Sequence, residues 1–474
     1  RPTAGLALDS DGTFRGLRAE TYAGVGGYAL GGGAAMPGWY GRLLSSQYVI
    51  PAIYCESNAV FTTTAPVHSY RGAGRPEAIY VTERLVDVAA AELGRDRVEL
   101  RRQNLVGVDE RAGDQPFPYE TAVGATYDSG NYEPVLDEAA GAVADEPRNG
   151  ERDEDGRLRG VGVTAYTEST GGGFESGVVR VHPDGSVTVT AGTHDHGQGH
   201  QTTYAAIVAD ELPVDIEDIN VVEGDTAQIP TGTGTFGSRS TIVGGNAVAE
   251  SAAEVREKAR RIAAGELDAA PEDVGLVEDG FTAAGERCSF ATVANAAYGR
   301  GLPEELEPGL EATTFYELEA TAYTFGAHAA AVAVDPETGE LDIERYVAVD
   351  DCGVQVNPQL VEGQVHGGVA QGLGQAHSEL AAYDDDGRLQ AATMLDYALP
   401  RAGDLPDIET RSQETPSPTN ALGVKGIGEG GTVAAPPALV SAVCDALPGV
   451  EHVDMPLTDE AVAEAMEETE KREN

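Results

Sequence analysis

Lysine is nearly missing from this 474-residue chain: it stands at 258, 425 and 471 and nowhere else, so arginine carries almost all of the positive charge. With 31 basic against 79 acidic residues the net charge is −48. No basic stripe is left to neutralise phosphates, which argues against nucleic-acid binding. The acid is spread along the whole chain rather than gathered in one block. Such a surface suits molar salt, where the screening length shortens to ~3 Å and self-repulsion fades. An acidic face for a basic partner is the competing explanation; the even spread favours halophilic adaptation. Cysteine is scarce as well. Cys55, Cys288, Cys352 and Cys444 are far apart and share no CxxC spacing, which argues against a zinc ribbon or an iron–sulfur cluster within this chain. A reduced, cytoplasmic protein is the expectation. No stretch approaches the ~20 apolar residues of a membrane span. The opening "RPTAGLALDSDG" has neither a hydrophobic signal core nor an initiator Met, so it carries no sign of secretion. It runs directly into what reads as a strand, and we expect one part of a longer polypeptide.

The length predicts two or three domains, and a 41% apolar fraction supplies their cores. "GLALDSDGTFRGLRAETYAG" (5–24) alternates around "SDG" and reads as a hairpin. "RPEAIYVTERLVDVAAAELG" (75–94) has Pro76 at the first helical position, apolar residues at helical spacing and Gly94 as a stop, and predicts a helix. A polar, charged stretch around 142–158 reads as a linker, set at 149–158 between domains 1–148 and 159–458. Residues 459–474 read as a solvated acidic helix or frayed tail. One pattern occurs twice. "SGVVRVHPDGSVTVTAGT" (176–193) is strand, turn, strand, followed by "HDHGQGHQ" and a helix; "AAAVAVDPETGELDIERYVAVDDCG" (329–353) is the same, followed by "NPQLVEGQVHGGVAQGLGQA". The echo suggests a structural pseudo-repeat and the order an α+β architecture.

Glycine is abundant and gathered in loops. "GVKGIGEGG" (423–431) wraps five glycines around Lys425 and Glu429. Since glycine costs conformational entropy, it is kept where backbone must pass close to something. Either this is a tight turn with Glu429 in water, or Glu429 is a catalytic carboxylate held against a bulky ligand. Three stretches share the chemistry. "GTHDHGQGHQTT" (192–203) sets Gln198 and His200 among glycines at a helix start. "TGTGTFGSRSTIVGGNAVAE" (231–250) places Gly237, Ser238, Arg239, Ser240 and Thr241 where a long helix begins, and "VEGQVHGGVAQGLGQA" (361–376) carries Gln364 and Gln371. Helix N-termini with small hydroxyls suit phosphate oxygens, and glutamine amides suit a planar heterocycle. Any one such loop is more often close packing. His194, His196 and His200 make a poor metal set at their spacing on a flexible loop. There is no P-loop and no dinucleotide fingerprint. Four such loops in one chain fit a large, phosphate-bearing heterocyclic cofactor better.

Six stretches occur in an order that resembles a known family: "SYRGAGRPEAIYVTERLVD" (69–87), "GQGHQTT" (197–203), "GSRST" (237–241), "NPQLVEGQVHGGVAQGLGQA" (357–376), "DYALPRAGDLP" (396–406) and "GVKGIGEGG" (423–431). Together they look like the molybdopterin-binding large subunit of the molybdenum hydroxylases, the family of xanthine dehydrogenase, aldehyde oxidoreductase and aerobic carbon monoxide dehydrogenase. The resemblance implies two mixed α/β domains with the cofactor between them. It implies a molybdenum held by a pterin dithiolene, with no direct protein ligand, and in microbes usually the cytosine dinucleotide form. By this resemblance Glu429 matches the general base acting on the metal's hydroxyl ligand. Arg71, Gly72 and Ala73 match the loop beside the metal ligands. Gln198, Gly199, Gly237, Ser238, Arg239, Ser240, Gln364 and Gly428 match cofactor-binding positions. A 2Fe-2S small subunit and an FAD medium subunit are the implied partners, in a dimer of heterotrimers. The implied reaction is hydroxylation of an aldehyde or aromatic N-heterocycle with oxygen from water.

Two departures stand out. The family's further N-terminal portion is absent from this sequence, so a fragment, a separate N-terminal chain or a non-catalytic cofactor-holding protein are the alternatives. Carbon monoxide oxidisers hold a cysteine in the metal-adjacent loop, where this chain reads "RGAGRP". That leaves carbon monoxide as the secondary substrate reading. Where purine oxidisers anchor substrate with an arginine upstream of this loop, an ungapped comparison puts Trp39, with Arg42 close by. An aromatic residue there favours an apolar aldehyde or a stacked heterocycle.

Overall fold

The computed structural model describes residues 2–113, 116–299, 302–303 and 305–473. Within them one short topological unit recurs three times: an antiparallel hairpin, a helix, a strand parallel to the hairpin's second strand, then a glycine-rich loop leading into another helix.

The first copy starts at the predicted hairpin, where β1 (Pro2–Leu8) and β2 (Phe14–Gly26) pair with Ala4 opposite Ala19. The short α1 (Met36–Tyr40) leads to β3 (Ile53–Phe61), parallel to β2. The loop beyond it opens into α2 (Arg75–Leu93), with Pro76 in its first turn and Gly94 ending it at φ +62°. Proline is tolerated where no intrahelical N–H bond is needed, and glycine takes the left-handed cap without a Cβ clash. Then come α3 (Arg97–Asn104), capped by the Asp96 carboxylate on the N–H groups of Val98 and Glu99, a ribbon of β4 (Tyr119–Glu120) and β5 (Thr126–Tyr127), and α4 (Tyr132–Ala142). The stretch 149–158 is tied down. Its β6 (Glu151–Arg152) pairs with the start of β7 (Leu158–Thr170), and Asn149 N–H donates to Asp445 at 3.0 Å.

The second copy is the hairpin β8 (Phe174–Val181) and β9 (Val187–Ala191), α5 (His200–Glu211), β10 (Ile219–Val222) parallel to β9, and the long α6 (Asn246–Glu266). A small sheet of β11 (Gly275–Val277), β12 (Gly280–Ala283) and β13 (Glu286–Ser289), with α7 (Phe290–Ala297), follows before β14 (Leu310–Glu317) returns to pair with β8. The third copy is β15 (Ala322–Val334), β16 (Leu341–Asp351), α8 (Pro358–His377), β17 (Ile408–Gln413) parallel to β16, and α9 (Gly430–Ala446). The chain continues into α10 (Asp459–Glu473), where the acidic helix or tail was expected, with residue 474 outside the described residues.

The echo in sequence is therefore an echo in fold. The sheets β10-β9-β8-β14 and β17-β16-β15-β7 have the same order, β6 extending the second. They differ in cover. On β15, Tyr323, Phe325, Ala327, Ala329 and Ala331 join one core with side chains of α2 and α4, while Ala330, Val332 and Val334 join another with α8 and α9. Every residue of β15 is buried as a result, which explains the continuous apolar stretch 329–334 in its second half. By contrast, β14 beyond the buried Leu310 alternates between exposed and partly buried positions, because helices α5 and α6 cover only one face of its sheet. The fold is α+β, as expected, and the three glycine-rich loops leave their sheets toward one place.

Candidate active site

That place is built around Glu429. Its side chain is 12% exposed. The N–H of Gly72, from the loop before α2, donates to its Oε1 at 2.9 Å, and the hydroxyl of Ser238, from the loop before α6, lies 2.9 Å from its Oε2. Each of the three loops thus supplies one member of a single contact. Arg71 clamps them from the other side, donating to the carbonyls of Gly428 at 2.6 Å and Gln364 at 3.0 Å. Arg75 donates to the Gly72 carbonyl at 2.9 Å and brings a guanidinium nitrogen to 3.7 Å from Glu429 Oε2.

The glycines have a steric cause. A Cβ at Gly426 would lie 1.8 Å from the Ser238 carbonyl oxygen, and one at Gly431 would lie 2.6 Å from the Val369 nitrogen in α8. Two non-glycine residues beside Glu429 are held in the left-handed region, Ala73 at φ +43° and Ser238 at φ +51°. Such backbone costs on the order of 1–3 kcal/mol and survives only where the surroundings enforce it.

A cavity of about 1770 Å³ opens here. Of the residues predicted for the site, Trp39, Arg71, Ala73, Gln198, Gly237, Ser238, Arg239, Ser240, Gln364, Gly428 and Glu429 all line it. Gly72 acts through its N–H. Gly199 ends up in packing: at φ +77° it caps α5, and a Cβ there would meet Leu360 of α8 at 2.6 Å. Arg239 also differs from the expectation of a cofactor ligand. Its guanidinium is buried, ion-paired with Glu175 and hydrogen-bonded to the carbonyls of Gly172 and Phe174. It holds the loop in place rather than facing the cavity with free donors. Gln198 is set by Asp195, whose carboxylate accepts the N–H groups of Gly197, Gln198 and His200 at 2.6, 2.7 and 3.1 Å. Against partial burial, those donors hold Asp195 below the usual carboxylate range. Trp39, half exposed, projects from α1, which packs on the loop at Gly74: a Cβ there would lie 3.0 Å from the Tyr40 nitrogen.

The molybdopterin cofactor-binding domain family matches residues 3–105 and 136–406 of this chain. The chain is 38% identical to the carbon monoxide dehydrogenase large chain of Hydrogenophaga pseudoflava over 98% of its own length and 60% of that protein's. It is 34% identical to the nicotine 6-hydroxylase large subunit of Paenarthrobacter nicotinovorans, over 98% and 59%. Quinoline 2-oxidoreductase from Pseudomonas putida 86 superposes with a TM-score of 0.92 at 34% identity, covering 99% of this chain and 62% of that one. The chain belongs to the molybdopterin-binding large subunits of the molybdenum hydroxylases. It spans about three-fifths of the length of these relatives.

The site's own residues fit the cofactor of that family. The cavity exceeds the ~300–1,000 Å³ typical of small-ligand pockets and suits an extended group. Among the described residues no cluster of three or more His, Cys, Asp or Glu is placed to hold a bare metal ion, and a metal carried by a pterin needs none. Lys425 lines the cavity with a buried ammonium that has no hydrogen-bond partner. It lies 3.7 Å from Asp351 and 4.6 Å from the Phe325 ring centroid, tied to Asp351 rather than to Glu429. Burial pushes it below the ordinary lysine range, with Asp351 opposing.

Sequence reasoning missed two residues. Arg75 lies inside the "RGAGRP" stretch, where nothing local marks it for a role. Glu168, in β7, lies outside the four glycine-rich loops. Fully buried, it stands with its Oε1 2.7 Å from the Ser238 hydroxyl. The available signal was an acidic side chain at the end of a strand otherwise buried on both faces, where charge is rare.

Proposed function

We propose that this chain is the molybdenum-bearing catalytic part of a cytoplasmic hydroxylase that oxidises an aldehyde or an aromatic N-heterocycle with oxygen from water. The observation that carries the reading is Glu429: a carboxylate at the wall of a large cavity, gripped by one donor from each of two neighbouring loops. When bound, the molybdenum centre supplies a two-electron oxidant and the activated oxygen. The protein's share is binding, orientation and proton handling. Arg71, Gly72, Ala73 and Gly428 would hold the metal side of the cofactor. The amides of Gln198 and Gln364 would pair with the pterin, and the backbone of Gly237 and Ser238 with the Ser240 hydroxyl would take its phosphates, in a cytosine dinucleotide form. Glu429 would take up a proton on its carboxylate as general base, with both of its oxygens held in place by Gly72 and Ser238 so that no reorganisation is needed. Trp39 offers an aromatic face on which a planar substrate stacks.

The remainder of the large subunit, as further sequence or a separate chain, completes the site. An iron–sulfur small subunit and an FAD medium subunit carry the electrons away, in a dimer of heterotrimers. Among the described residues no helix is long and apolar enough to cross a membrane. Halophilic adaptation belongs to the same proposal and rests on the −48 charge.

The name of the Hydrogenophaga relative favours a second reading, carbon monoxide oxidation. Against it, residues 71–76 offer no thiol beside Glu429. Cys352, which lines the cavity elsewhere, is buried with its thiol pushed up to about 12. A non-catalytic cofactor holder gains nothing from the donors aimed at Glu429. The test is Glu429→Gln in the assembled complex. The expected outcome is turnover reduced by ~10²–10⁴ with molybdenum content retained; unchanged turnover removes Glu429 from the mechanism.

A further inference from the structure

One hydroxyl serves two carboxyl groups. Ser238 Oγ lies 2.7 Å from Glu168 Oε1 and 2.9 Å from Glu429 Oε2. It owns a single proton, so it donates in one of these contacts and must accept in the other. If both carboxyls were ionised, one contact would set a hydroxyl lone pair against a carboxylate oxygen at hydrogen-bond distance. The close geometry therefore requires one more proton in the trio. The surroundings say where it sits. Glu429 has the Gly72 N–H at 2.9 Å and the Arg75 guanidinium at 3.7 Å to support a charge. Glu168 is fully buried, and its Oε2 has no hydrogen-bond partner. An ionised carboxylate in that state is strongly disfavoured.

We propose that Glu168 acts as a neutral carboxylic acid, donating to Ser238 Oγ so that the Ser238 hydroxyl donates to Glu429 and keeps that carboxylate ionised and aimed into the cavity. Glu168 is a positioning residue: it acts through Ser238. The inference rests on Glu429 being the base. The charged and titratable groups that act on Glu168 are Glu429, Arg75, Arg71 and Tyr166. Burial first, and then the Glu429 charge, push the Glu168 carboxyl up to about 8, against the pull of Arg75. The neutral acid is present below that value and lost as pH rises through it. Above it, both carboxylates compete for one hydroxyl, and turnover falls along a basic limb.

The experiment has two readouts on the assembled complex. The first is the infrared carbonyl band of a protonated carboxylic acid at neutral pH, read as the difference between wild type and Glu168→Gln. A band present in wild type and missing in the variant is expected; its absence from the difference overturns the proposal. The second is the pH profile. The glutamine amide also donates to Ser238 but cannot ionise, so Glu168→Gln should keep turnover within a few-fold at neutral pH and lose the basic limb. Glu168→Leu, with no donor, should lose on the order of tenfold. A basic limb that persists unchanged in Glu168→Gln overturns the proposal. If Glu429→Gln retains turnover, the assignment of the base fails, while the infrared band still reports on Glu168 by itself.

Discussion

The loop entering α6 and the loop entering α9 occupy the same place in two copies of one unit, and a charged side chain of each, Arg239 in one and Glu429 in the other, is put to opposite ends. In the first, Arg239 turns into the protein and is consumed by Glu175 and by main-chain carbonyls. In the second, Glu429 stays at the cavity wall with its oxygens held by donors from elsewhere. One charge fixes a loop; the other is fixed by loops. Glycine density alone did not distinguish them. What distinguishes them is the partner, and partners lie on other strands.

The largest contrast comes from exchanging the two losses. Glu429→Gln, nearly isosteric, should remove ~10²–10⁴ of turnover and leave the unfolding midpoint of the complex close to wild type. Arg239→Met should do the reverse in origin: it leaves the buried Glu175 without a counter-charge, a loss of about 3–5 kcal/mol of stability, seen as a lower unfolding midpoint and poorer cofactor retention. An unchanged midpoint in Arg239→Met would mean that the pair does not hold the loop. Salt gives the smallest effect. Wild type should gain stability from low to molar potassium chloride, as the −48 charge is screened. The Arg239→Met deficit should stay constant, because that pair lies out of reach of solvent ions. A wild-type midpoint that is equally high in low salt contradicts halophilic adaptation.

Much of this was legible in the sequence, for physical reasons. The hairpin at 5–24 and the helix from Pro76 to Gly94 are local, set by alternation, a proline and a glycine. Two of the three repeated units show through because each hairpin is followed by a helix of 12 or 20 residues, whereas α1 of the first has only five. Glu429 was legible because so little else on its loop has a side chain. The resemblance matches Gly199 and Arg239 to cofactor-binding positions, whereas in the structure Gly199 packs against Leu360 and the Arg239 guanidinium pairs with a buried acid. Glu168 was out of reach of motif reasoning, since its meaning depends on a serine that the fold brings beside it.

The central claim is that the three loops together hold a molybdenum cofactor over Glu429. The measurement that tests it most directly is the molybdenum and acid-released nucleotide content of the complex purified from its native host in high salt. The account predicts about one molybdenum and one cytidine monophosphate per chain. Finding neither, with the partner subunits still bound, would contradict it.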